Sequence, residues 1–113
     1  MKDDGLYLAY IRECIARIER YTAGGKGEFC SDTKTQDAVF RNLHTLSEST
    51  QRLSESLKER YPDVPWRSIA AFRNVVVHGY LGISLAQAWA IVEQDLPRLR
   101  DQVERILRDQ PVE

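Results

Sequence analysis

A chain of 113 residues with a net charge of −1 and 42% hydrophobic residues has room for one domain with a single modest core. A charge this close to zero argues against a general nucleic-acid coat or a membrane-surface protein, and no apolar run reaches membrane-spanning length. The N-terminus lacks a signal-peptide pattern, and Cys14 and Cys30 have neither metal nor redox spacing, so the chain reads as cytoplasmic with two reduced thiols.

The first predicted element is an amphipathic helix from about Asp3 to Tyr21. Tyr7, Ile11, Cys14, Ile15, Ile18 and Tyr21 recur at three- and four-residue steps, with charged residues between them. It stops at Ala23-Gly24-Gly25-Lys26-Gly27. The spacing of a phosphate-binding loop is absent there, so the glycine cluster reads as a flexible link. A long second helix follows. Asp32 or Thr33 can cap it, and Gln36 sits three beyond Thr33 as in a capping box. Val39, Leu43, Leu46, Thr50, Leu53 and Leu57 alternate four and three to about Arg60, a heptad-like seam suited to a bundle interior. His44 lies beside that seam and reads as a surface or packing histidine.

Tyr61 to Pro65 breaks the second helix, and Pro65 fits the first turn of a third. Ile69, Phe72, Val75 or Val76, and Leu81 supply its apolar side. After a turn at Gly79–Gly82, Ser84 with Gln87 forms another capping box. Leu85, Ala88, Trp89, Val92, Leu96, Leu99, Val103 and Ile106 then carry the seam to about Arg108. Pro97 is expected to kink this last helix or split it, with Asp95 helping to start the second piece. No strand pattern or repeat occurs. The expected architecture is all-α, an up-down bundle of four to five helices forming one domain over residues 1–113.

Most of the distinctive chemistry falls between Phe72 and Leu81, in F-R-N-V-V-V-H-G-Y-L. Asn74 and His78 are four apart and share a helix face, while Arg73 and Tyr80, seven apart, nearly eclipse. Arg73 and His78 are five apart and diverge by about 140° on a regular helix. They converge only if the helix ends near His78, or if a second copy of the segment faces the first. Metal ligation has no support: Glu-x-x-His is missing at both histidines, and no zinc spacing or serine or cysteine nucleophile constellation occurs. No cofactor is implied.

Arg, His, Asn and Tyr suit metal-free phosphodiester cleavage. An imidazole with a pKa near about 6.5 exchanges protons at neutral pH, and a helix C-terminus favours its protonated, acid form. A guanidinium fork fits the phosphate and its extra transition-state charge. RNA supplies its own nucleophile, the 2′-hydroxyl. One histidine cannot easily serve both sides of an in-line displacement, so a two-fold homodimer bringing two copies of this helix together is the expected remedy. The same residues also make a satisfied helix end, with His78 on a terminal carbonyl, Arg73 in an ion pair and Tyr80 half-buried. The residues alone leave both readings open.

The segment resembles the signature of the HepT-like branch of the HEPN superfamily: Arg, four residues, His, one residue, Tyr. Asp37 to Leu43, the Ser47-Glu48 pair, Pro65-Trp66-Arg67, Val77 to Tyr80, and Trp89 through Asp95-Leu96-Pro97 are also similar to that family, so the likeness runs from about Phe29 to the C-terminus. One departure is Ser47-Glu48-Ser49, where the family often has Gly-Glu-Ala. The resemblance implies a metal-independent ribonuclease toxin of a toxin–antitoxin pair, with Arg73 and His78 catalytic and Asn74 supporting. It also implies a cognate nucleotidyltransferase antitoxin of the MntA type that transfers AMP to Tyr80. The alternative is a non-catalytic helical module that binds such a transferase and presents Tyr80 to it.

Overall fold

The computed structural model describes residues 3–81 and 85–109, with the side chain of Tyr80 outside that description. The described residues are all-α. The helices are α1 (Asp4–Tyr21), α2 (Lys26–Ser31), α3 (Thr33–Gln51), α4 (Glu55–Arg60), α5 (Trp66–Ala70), α6 (Phe72–Tyr80), α7 (Leu85–Ala90) and α8 (Leu96–Asp109), with a π-helical segment, Ile91–Asp95, between the last two. They group into the four expected stretches, with short α2 as a fifth, in a bundle measuring 43 × 23 × 22 Å. α3 lies at its centre, against α1 on one side and α6 on the other, and α1 also packs on α8.

The seams read from periodicity are the core. Ile11, Cys14, Ile15 and Ile18 of α1 are buried, together with Leu8; Tyr21 is exposed instead. They meet Val39, Leu43 and Leu46 of α3 and Leu96, Leu99, Val103 and Ile106 of α8, all buried. Each such aliphatic side chain contributes roughly 1.5–3 kcal/mol by leaving water. Leu53 and Leu57 also lie in the core, but not on one continuous helix. α3 ends at Gln51, and Ser54 caps α4, its Oγ accepting from the Leu57 N–H at 3.2 Å. The carboxylate of Asp4, at the start of α1, holds that cap: it accepts from Ser54 N–H at 2.9 Å and from Ser54 Oγ at 2.6 Å. A contact fifty residues away in sequence therefore breaks the long second helix.

The glycine link is shorter than expected. Only Gly25 needs glycine's freedom, with φ at +92°; α2 begins at the next residue and drives Phe29 fully into the core. Asp32 is the cap of α3, its carboxylate accepting from Lys34 N–H and Thr35 Oγ1. These bonds, Thr35 foremost, hold the Asp32 carboxyl below its ordinary range. Thr33 is already helical, and Gln36 reaches back to the Phe29 carbonyl at 2.9 Å rather than closing a capping box.

The third stretch also divides, at Ala71, into α5 and α6. Pro65 sits one position ahead of α5 as its N-cap, and the indole of Trp66 donates to the Tyr61 carbonyl at 3.0 Å. Around Pro97 the chain stays helical. Pro97 has no N–H for the carbonyl four residues back, and the turn before it shifts register, with Leu96 N–H donating to Ile91 O. Asp95 lies inside this π segment rather than at a cap. The Ser84 capping box and Gly82 fall outside the described residues.

The two cysteines differ sharply in setting. Cys14 is buried, and that burial pushes its thiol above the ordinary range, while Cys30 is exposed. One thiol per chain, Cys30, is expected to react with a disulfide reagent in the folded protein, and two after denaturation. Two rapidly reacting thiols in the native state would contradict this packing.

Candidate active site on helix α6

α6 is drawn tightly onto α3. A side-chain carbon at Gly79 would strike the ring of Phe40, which is fully buried. Phe40 in turn meets Phe29 edge-on, with ring centroids 6.3 Å apart, and Phe29 lies 5.7 Å from Trp89. Phe72, Val76 and Gly79 thus make the inner side of α6, and Arg73, Asn74, Val77, His78 and Leu81 its outer side. The helix passes through Gly79 and ends at Tyr80, shortly after His78 as expected, yet both Arg73 and His78 lie within it. Arg73 and His78 remain about 140° apart around a regular helix.

They mark the two edges of the exposed arc. Between them run Val77, 57% exposed, and Leu81, 68% exposed, one helical turn apart and forming an apolar ridge. Asn74 lies on the same outer face. Neither the guanidinium nor the imidazole is sealed in the interior. Tyr80 ends the helix, and its side chain is outside the described residues.

Arg73 is the second residue of α6, at the positive end of the helix dipole, where a cation gains nothing from the backbone. What it meets is Glu48 of α3, with Nε 3.7 Å from Oε2. The same oxygen lies 3.7 Å from Nε2 of His44, one turn earlier on α3. His78 sits in the last turn of α6. His44, read as a plain surface histidine, is exposed as expected but shares a carboxylate with Arg73. Glu48 received no role from the sequence. The four-residue spacing of His44 and Glu48 was the available signal; the reach to Arg73 spans two helices and had none.

The flanking serines explain how the departure from Gly-Glu-Ala is accommodated. Ser47 is fully buried and Ser49 nearly so; the Ser47 hydroxyl bonds back to the His44 carbonyl at 3.1 Å. The added hydroxyl of Ser47 is satisfied within its own helix, and the carboxylate of Glu48 faces Arg73 of α6.

The described residues thus form an all-α bundle that presents Arg73, Asn74 and His78 on one exposed helix face. The ribonuclease HepT-like family matches residues 11–106. The chain is 35% identical over 101 residues to a probable ribonuclease HepT of Thermococcus cleftensis, covering 88% of this chain and 92% of that one. It is 31% identical over 109 residues to a putative RNase of Caldanaerobacter subterraneus, covering 96% and 97%. It is also 31% identical over 109 residues to a gamma-glutamylcyclotransferase and putative RNase of Methanocaldococcus jannaschii, covering 96% of this chain but 49% of that relative, about half its length. No solved structure matches. The chain belongs to the HepT-like ribonuclease family. Among the described residues, no helix is long and apolar enough to cross a membrane.

Proposed function

We propose that the chain is a metal-independent endoribonuclease, the toxin of a toxin–antitoxin pair, whose site forms where two copies of α6 meet. Arg73 grips the scissile phosphate, His78 protonates the leaving oxygen, and Asn74 supports the substrate from the same face. The observation that carries this reading is the outer arc of α6. It holds both groups in solvent at its two edges, with the Val77–Leu81 ridge exposed between them. A second copy of the chain covers that ridge, and a helix that keeps Arg73 and His78 about 140° apart makes the partner's His78 the natural companion of each Arg73. Family membership and ribonuclease-named relatives point the same way.

The direct test is cleavage of labelled RNA by the purified protein in EDTA, alongside Arg73→Ala and His78→Ala. Cleavage by the wild type alone supports the reading, and intact RNA in every lane overturns it.

A cognate nucleotidyltransferase of the MntA type silences the toxin by transferring AMP to Tyr80. Added bulk and negative charge about two turns along the same side of the helix from the phosphate-gripping guanidinium would exclude substrate, by the logic of phosphorylation. Tyr80→Phe is expected to keep cleavage and to escape silencing, read as chain mass and activity after co-expression with the transferase. Equal silencing of mutant and wild type would contradict it.

A second reading draws on the net charge of −1, since affinity for RNA rests on neutralising phosphates. In it the bundle is a non-catalytic module that docks a nucleotidyltransferase. Folded, transferase-binding protein with no cleavage in EDTA would favour that reading.

A further inference from the structure

Each shared site pairs Arg73 of one chain with His78 of the other, and the second histidine lies about 140° round the helix from that Arg73, so a base for the 2′-hydroxyl has to come from another residue. We infer that Glu48 is that general base, working beside Arg73 of its own subunit while His78 of the opposite subunit serves as the acid. The inference rests on the ribonuclease reading and deepens it.

The geometry is specific. One carboxylate oxygen lies 3.7 Å from the guanidinium of Arg73 and 3.7 Å from the imidazole of His44. Neither separation is a formed hydrogen bond, so the carboxylate is held between two basic side chains yet keeps its lone pairs for another donor. Its side chain is 40% exposed, and that of Arg73 53%, so RNA can reach both. A phosphate gripped by Arg73 brings its own 2′-hydroxyl to the vicinity of Glu48, because that hydroxyl is carried on the neighbouring sugar carbon. The positive charge of Arg73, joined by that of His44 when protonated, offsets the repulsion between Glu48 and the phosphate.

The step balances without a co-reactant. The Glu48 carboxylate takes the proton from the 2′-hydroxyl, and the bond between that oxygen and phosphorus forms. The bond from phosphorus to the 5′-oxygen breaks, and that oxygen takes its proton from the His78 imidazolium. The products are a 2′,3′-cyclic phosphate end and a 5′-hydroxyl end. Exchange with water returns both groups to their starting forms.

The test uses the full-length protein in EDTA with two RNA substrates, one natural and one with sulfur in place of the bridging 5′-oxygen. A thiolate leaves without being protonated, so the sulfur substrate bypasses the acid and not the base. His78→Ala is expected to be slow on the natural RNA and to recover on the sulfur RNA. Glu48→Gln, which keeps size and polarity but cannot accept the proton, is expected to lose about 10²–10³-fold on both. Its thermal midpoint, measured alongside, is expected to match the wild type, as a structural role would not predict. Glu48→Asp, which retains the base one methylene further back, is expected to outperform Glu48→Gln. Wild-type rates for Glu48→Gln, or its rescue by the sulfur substrate, would overturn the assignment while leaving the ribonuclease reading intact. Failure of the wild type to cut either RNA would remove that reading and this inference together.

Discussion

Alanine at position 73 or 78 is expected to lower RNA cleavage by at least about 10²–10³-fold while leaving the fold in place. The expectation follows from where the two side chains lie. Both project from the outer side of α6, and the ion pair of Arg73 with Glu48, at 3.7 Å, is about half exposed to water. Such pairs contribute about 0–1 kcal/mol, a small fraction of the stability of a domain this size. The guanidinium would contribute to catalysis by meeting charge that grows in the transition state, and the imidazole by donating a proton to the leaving oxygen. Removing either leaves a folded bundle with an incomplete site. Single-turnover rates with thermal midpoints measured on the same samples check this. A loss of activity that tracks a loss of stability would instead assign both residues a structural role.

Gly79→Ala is expected to destabilise the protein by about 1–3 kcal/mol, the usual cost of overpacking. The sign is informative, because replacing glycine by alanine inside a helix ordinarily stabilises by about 1 kcal/mol. Here the new methyl would enter the ring of Phe40, which is fully buried and packed against Phe29. A ring so enclosed cannot swing aside, so the steric cost exceeds the gain in helix propensity. Phe40→Leu should relieve part of the penalty. In a double-mutant cycle the combined loss is then smaller than the sum of the single losses. Denaturant midpoints for the four proteins measure it, and a stabilised Gly79→Ala variant would contradict the close approach of α6 to α3. Activity is expected to suffer with stability, since that approach sets Arg73 opposite Glu48.

What the sequence made legible was whatever repeats within one helix. The seam through Val39, Leu43, Leu46, Thr50, Leu53 and Leu57 is buried throughout, because three- and four-residue steps report a helix face directly. The continuity of that helix was not legible: Asp4 reaches Ser54 from another element and caps a new helix there. Phe29 was missed for a related reason. A glycine cluster reads as a loop, yet a six-residue helix starting right after Gly25 suffices to bury one aromatic ring. At the site, the divergence of Arg73 and His78 followed from counting residues along α6. The role of Gly79 as a contact point did not, since a glycine near a helix end reads as a stop signal until Phe40 is seen beneath it. Glu48 shows the same limit, for its meeting with Arg73 is a property of two packed helices.

Mixing the two inactive variants tests the central claim most directly. If Arg73 of one subunit works with His78 of the other, an Arg73→Ala chain paired with a His78→Ala chain rebuilds one intact site out of two. Random re-pairing makes half of the dimers mixed, so about a quarter of wild-type cleavage should return in EDTA. No recovery from a mixture shown to contain mixed dimers would contradict a site shared between subunits.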